Sequence, residues 1–183
     1  MIRKTTKDIL AESFLELASD RRIDKITVTM ITDNCGMSQP TFYNHFRDKY
    51  DLIVWIYDRH MGEIVGRIGR DGYVWRDCLS DVAAYYCENR DFIVNAIKNT
   101  SGQDSFLEYI RKRNTAFMKA EVRKKLMTEY IPEEIMGCIR IYVYGTVQYM
   151  KDWLTGDMRQ RPEQVAGIWE RSLPEALKKY VCE

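Results

Sequence analysis

Six hydrogen-bonding side chains fall within eight residues: Ser38, Gln39, Thr41, Tyr43, Asn44 and His45, with Pro40 among them. None carries a full charge, although a solvated helix would normally place Glu, Lys or Ala at such positions. Gln and Asn can pair with adenine edges, and Thr can meet a thymine methyl. Phe42 and Phe46 lie four apart and would anchor the opposite face in a core. A short helix with one polar face and one anchored face is suited to the major groove of DNA.

The neighbouring residues supply the elements to position it. Leu10, Phe14, Leu17 and Ala18 mark one face of a helix over 5–19, and Arg21-Arg22-Ile23-Asp24-Lys25 reads as a polar break. Thr27 can cap the next helix, with Ile26 and Ile31 spaced as a hydrophobic staple. Asn34-Cys35-Gly36 is a stop, because glycine tolerates the left-handed backbone of a tight turn. Ser38 can cap the following helix, with Pro40 in its first turn, where a missing N–H costs nothing. Asp48 caps a third helix, with Asp51 in the favourable first turn. Residues 27–46 therefore form a helix-turn-helix pattern, although any helical hairpin shares its glycine turn and caps. The helix starts at Thr27, Ser38 and Asp48 could each present backbone N–H groups to a phosphate. Arg3, Lys4 and Lys7 read equally as a basic arm or a solvated tail.

The 183 residues contain 28 Lys+Arg and 27 Asp+Glu, a net charge of +1. Neither part is a basic block: residues 1–50 hold eight basic and seven acidic groups. DNA contact must therefore come from placed groups rather than bulk charge. Five dispersed cysteines with no CxxC pair read as free thiols in a reducing compartment. No apolar run approaches the roughly 20 residues that span a bilayer, and residues 1–8 lack the core of a secretory signal. Together these place the chain in the cytoplasm. His45 and His60 are the only histidines. There is no HExxH, phosphate loop or paired metal-ligand motif, so neither an enzyme, a metal nor a cofactor is expected.

The fold class is all-α, with about nine helices. The third capped helix runs over about 48–68 and links a helix-turn-helix domain, 1–50, to a helical regulatory and dimerisation domain, 51–183. Gly66, Gly69 and Gly72 end it. Further helices are predicted at 75–88, 91–99, 104–128, 133–155 and 162–181. A kink or restart is expected at Ser172-Leu173-Pro174-Glu175, which resembles a capping box. Helix 133–155 carries two apolar stripes, and a helix apolar on two faces lies between two layers. Ile139, Val143, Val147 and Met150, together with Val165, Trp169, Leu173 and Leu177 of the last helix, are expected to pack against their copies in a four-helix homodimer interface; a larger monomeric core is the alternative. Tyr85, Tyr86, Tyr109, Met118, Tyr142 and Tyr144 could line a ligand pocket or be plain core.

Three stretches carry a family resemblance: Ile26-Thr27-Val28-Thr29 through Cys35-Gly36-Met37-Ser38, then Pro40 to Phe46, then Lys49-Tyr50-Asp51-Leu52. Over about residues 8–57 the sequence resembles the TetR family of transcriptional regulators, departing at Cys35, where the family more often has Ala. The resemblance implies that Gln39, Pro40, Thr41 and Tyr43 face bases or the adjoining backbone, with Ser38 and Asn44 beside them. It implies that Thr27, Thr29, His45 and Lys49 mainly hold phosphates of a double-stranded operator. It further implies a repressor that binds a palindrome as a homodimer under the control of a small ligand. Asn89-Arg90-Asp91-Phe92, Gly102-Gln103-Asp104-Ser105-Phe106, Tyr144-Gly145 and Trp153-Leu154 are similar to a branch that includes regulators of dihydroxyacetone-kinase operons. In that branch the effector can be another protein, so the alternative is a co-activator or adapter controlled by a protein partner.

Overall fold

A computed structural model describes residues 4–102 and 105–182. Among these there are ten α-helices and no strand: α1 (Thr6–Asp20), α2 (Val28–Asn34), α3 (Gln39–Tyr43), α4 (Lys49–Val65), α5 (Trp75–Glu88), α6 (Arg90–Lys98), α7 (Phe106–Leu126), α8 (Glu133–Thr155), α9 (Pro162–Arg171) and α10 (Glu175–Val181).

The first four helices close around Leu10, Phe14, Ile26, Ile31, Phe42, Phe46 and Leu52, all buried. Each start has a local cause. Thr5 and Asp8 form a reciprocal capping box on α1. Thr27 Oγ1 accepts the Met30 N–H at 3.2 Å, Ser38 Oγ accepts that of Thr41 at 3.2 Å, and Asp48 Oδ1 accepts those of Tyr50 and Asp51 at 2.8 and 2.9 Å. Gly36 has φ of +67°, a left-handed value that a side chain would strain. Ser13 Oγ donates to Ile31 O at 2.7 Å, fixing α1 against α2. The expected polar break is partly core instead: Ile23–Lys25 form one 3-10 turn that buries Ile23.

The second group packs α5 on α9 and α7 on α8, with α10 against α7 and α8. The restart at Pro174 splits the expected last helix into α9 and α10. It is not a capping box, because the Ser172 hydroxyl donates back to Ile168 O at 2.8 Å.

Asn95 is one of the side chains that tie the two groups. From α6 it donates to the carbonyls of Ala18 and Arg21 at 3.0 and 2.8 Å, and its Oδ1 accepts the Ile23 N–H at 3.0 Å. Phe14 and Phe92 meet edge-to-face beside it. Among the described residues, no helix is long and apolar enough to cross a membrane.

Candidate nucleic-acid interface and interior cavity

The helix α3 is one and a half turns long and ends at Tyr43, so Asn44 and His45 lie in the turn that follows it and not on the helix. Phe42 and Phe46 face inward, their rings 5.7 Å apart, and Phe46 continues onto Trp55 of α4. That anchorage turns Ser38, Gln39, Pro40, Tyr43, Asn44 and His45 out to solvent, with Thr41 half-buried. Tyr43 is 55% exposed although aromatic. Thr27 and Thr29 are exposed on α2 alongside.

Two of the phosphate assignments change on this geometry. Lys49 does not extend from the surface: its ammonium donates to the carbonyls of Ile23, Asp24 and Ile26 at 2.8, 3.0 and 2.7 Å. All three of its N–H donors are thereby occupied. Burial lowers its pKa from the ordinary lysine value, while Asp24 and Asp48 act to raise it. Thr29 is also engaged, accepting a hydrogen bond from Gln39 Nε2 at 3.0 Å. The cation that does extend beside α3 is Arg47, in the loop before Asp48, where its side chain is 87% exposed and stands 4.0 Å from the Asp51 carboxylate. Sequence reasoning missed it because a single charged loop residue has no pattern. In the amino-terminal segment, Lys4 pairs with Glu12 at 2.7 Å, and Lys7 sits over the Phe46 and Trp55 rings. Of the three residues read equally as a basic arm or a solvated tail, Lys4 and Lys7 thus make local contacts, and Arg3 lies outside the described residues.

The second feature is a cavity of about 80 Å³ between α4, α5, α7, α8 and α9. Three of the six expected pocket residues line it: Tyr86, Met118 and Tyr142. The other three do not. Tyr85 turns toward His60, their rings 5.2 Å apart. The Tyr109 hydroxyl donates to Asp58. Tyr144 is 51% exposed on the outer face of α8, beside Arg111. Helical geometry is the reason: neighbours on a helix point about 100° apart, and residues two apart about 200°.

The eight residues expected at a dimer interface are a larger correction. Ile139, Val143, Val147, Met150, Val165, Trp169, Leu173 and Leu177 are all buried within the single chain. Val143, Val147, Met150 and Trp169 line the cavity itself. The chain's own helices bury Ile139, Val143, Val147 and Met150 of one α8 stripe, whereas the other is covered only in part: Tyr142 and Trp153 are buried, Ile135, Cys138 and Tyr149 half-buried and Gly145 exposed. Beside Gly145, α8 also leaves open Tyr144 and Ile141, the latter 76% exposed.

The lining that sequence reasoning missed includes Tyr57, Trp75, Cys78, Arg113, Asn114 and Phe117. Their spacing looks like ordinary core, so nothing in the pattern marks them. Tyr57 and Tyr86 share a hydrogen bond between hydroxyls at 2.7 Å, and burial pushes both pKa values up. Burial also pushes the Cys78 thiol up to about 12, so it stays protonated. Arg113 Nε donates to Asp58 Oδ1 at 2.6 Å, linking α7 to α4. No group of three or more His, Cys, Asp or Glu among the described residues could hold a metal.

Comparison with known proteins gives the following. A family model described as bacterial regulatory proteins, tetR family, matches residues 12–54, and one described as transcriptional regulator C-terminal region matches residues 74–174. A curated relative, the HTH-type dhaKLM operon transcriptional activator DhaS of Lactococcus lactis subsp. lactis, is 29% identical over 87 residues. That match spans 48% of this chain and 46% of the relative, so it takes in about half the length of each. Among solved structures, a dihydroxyacetone kinase operon activator DhaS superposes with a TM-score of 0.68 at 17% identity, covering 96% of this chain and 98% of that one. A TetR regulator from Rhodococcus sp. RHA1 gives 0.61 at 18% identity, covering 92% and 93%. Thermus thermophilus FadR, a repressor in complex with lauroyl-CoA, gives 0.60 at 12% identity, covering 91% and 92%. At these identities the structural likeness is one of fold.

Proposed function

The chain belongs to the TetR family of bacterial transcriptional regulators, which bind DNA and are not enzymes, and from that premise we propose that it reads a palindromic double-stranded operator as a homodimer under the control of a small effector. The observation that carries the reading is the division of α3 and the turn that follows it: Phe42 and Phe46 are buried, while Gln39, Pro40, Tyr43 and Asn44 are exposed. A helix held from behind by aromatic rings can enter the major groove without losing its own packing. Gln39 and Thr41 meet base edges, with Tyr43 and Asn44 flanking. Thr27, His45 and Arg47 meet the phosphate backbone. Residues 1–50 do the reading and 51–183 the regulation, in the cytoplasm with the chromosome.

The open strip of α8 supports dimerisation. Ile141 and Tyr144 are large and exposed, and no atom lies within 4 Å of where a Cβ would stand on Gly137 or Gly145. A two-fold axis would set this strip against its copy and let the helices approach closely. Half-sites would then lie about 34–36 Å apart, or slightly more.

Effector control has a path through named contacts. The cavity is lined by Tyr57 and Met61 of α4, and Asp58 on the same helix is held by Arg113 and Tyr109 of α7. At its other end α4 grips the 3-10 turn through Lys49, and α6 grips that turn through Asn95. A ligand acts here only through different affinities for the DNA-competent and released arrangements.

Release of a repressor is the simplest outcome. Activation is the second reading, because the curated relative matching half of this chain is named an activator. Footprinting on the DNA upstream of its own gene should protect a palindrome. A reporter fused to that DNA should rise on deletion of the gene if the protein represses, and fall if it activates. Absence of any footprint would contradict the operator reading.

A further inference from the structure

The cavity leaves two hydrogen-bond donors unmatched. Trp169 is 4% exposed and Trp75 8% exposed, both line the cavity, and neither indole N–H has a hydrogen-bond partner. The Tyr142 hydroxyl is close enough to Trp75 to interact with it, but not at hydrogen-bonding geometry, and it donates its own hydrogen to Trp169 O at 3.1 Å. A buried donor without an acceptor forfeits the hydrogen bond to water that it had in the unfolded chain, and native proteins rarely keep two in one place.

The rest of the lining narrows what could satisfy them. Trp75 stacks on Phe117 with centroids 6.0 Å apart, and Tyr86 meets Trp169 edge-on at 6.4 Å. Aliphatic side chains such as Met61, Val82, Val143 and Val147 make up much of the remainder. The surface is mainly aromatic and aliphatic, with polar groups at Arg113, Asn114, Thr146 and the tyrosine hydroxyls besides the two indoles. The guanidinium of Arg113 is already paired with Asp58, so a buried anion would find no free countercharge and would be costly. Among the described residues, no carboxylate lines the cavity to receive a cation. Its volume of about 80 Å³ is below the roughly 300–1,000 Å³ of common ligand clefts.

We infer that the effector is a small, uncharged, largely apolar molecule carrying one or two acceptor oxygens, a short-chain ketone or ester, whose oxygens receive the Trp75 and Trp169 indole N–H groups. This rests on the proposal that the protein is controlled by a small molecule and adds the chemistry of that molecule.

The test uses the full chain labelled with 15N at tryptophan, which gives indole signals from Trp55, Trp75, Trp153 and Trp169. A panel of small ketones and esters, butanone among them, is titrated against hydrocarbons of matching shape, such as 2-methyl-1-butene. The expected result is that members of the oxygenated set shift the Trp75 and Trp169 signals, leave Trp153 in place, and bind at least tenfold more tightly than their hydrocarbon partners. Trp169→Phe and, separately, Trp75→Phe should reduce that preference while retaining hydrocarbon binding; two variants guard against one that fails to fold. Equal binding of both sets would overturn the acceptor chemistry and leave small-molecule control standing. If neither set shifts Trp75 or Trp169, the inference fails. Loss of operator binding on adding a purified protein partner instead would then remove small-molecule control as well.

Discussion

Gln39 donates its side-chain N–H to Thr29 Oγ1 at 3.0 Å, so the first residue of the reading helix is oriented by the helix before it. The bond uses one of two Nε2 hydrogens and leaves Oε1 open, which is the pair of groups that a bidentate contact to adenine requires. Thr29 is thereby a positioning residue. Thr29→Val should cost about 0.5–1.5 kcal/mol of operator preference and much less once Gln39 is already Ala. Fluorescence anisotropy on the two single variants and the double variant measures this coupling. Strict additivity would contradict it.

Lys49 should matter to stability and not to phosphate binding. Lys49→Met keeps the stem but leaves the Ile23, Asp24 and Ile26 carbonyls without their donor. Urea unfolding should show a loss of about 1.5–3 kcal/mol, the range for hydrogen bonds to a charged group. The salt slope of operator binding should stay that of wild type. A phosphate contact would instead lower the slope by about one.

Ile141→Glu should abolish the dimer and leave the helical spectrum intact, because the side chain is 76% exposed in the single chain. Val147→Glu should unfold the protein, because Val147 is 2% exposed and an unpaired buried charge is not tolerated. Sedimentation and circular dichroism on the two variants separate interface from core. A dimeric Ile141→Glu would move the interface elsewhere.

Alkaline pH should destabilise the fold. Burial pushes the Cys78 thiol up to about 12 and raises Tyr57, Tyr86 and Tyr142 above the ordinary tyrosine value. The unfolded chain releases these protons first, near the ordinary values of about 9 and 10, while the native state still holds them. The native state then binds more protons, so stability falls as pH rises, by up to about 1.4 kcal/mol per unit for each such group. For Cys78 the loss begins near 9 and is complete near 12. Urea midpoints between pH 8 and 10.5 measure the slope, and a flat profile would contradict the burial of these groups.

The features legible in the sequence are those whose causes are local. Thr27, Ser38 and Asp48 cap helices using partners two or three residues away, Gly36 marks its own turn, and helix α8 has the predicted limits. What could not be read is which layer covers which stripe. Val143 and Val147 were as well placed to face a second copy as a neighbouring helix, since periodicity reports that a face is buried and not by what. Lys49 belongs to the same class, because its three acceptors lie 23 to 26 residues away and converge only through folding. Trp75 and Trp169 are separated by most of the regulatory domain, and their unmatched N–H groups have no sequence signature.

Base reading by α3 is decided by comparing wild type and Gln39→Ala on the footprinted operator and on a scrambled duplex of equal length, across a salt series. The salt dependence removes the phosphate contribution, which is shared by both duplexes. Wild type should prefer the operator, and Gln39→Ala should lose about 1–3 kcal/mol of that preference with an unchanged salt slope. A Gln39→Ala protein that keeps the wild-type ratio between the two duplexes would contradict the assignment of this helix to base reading.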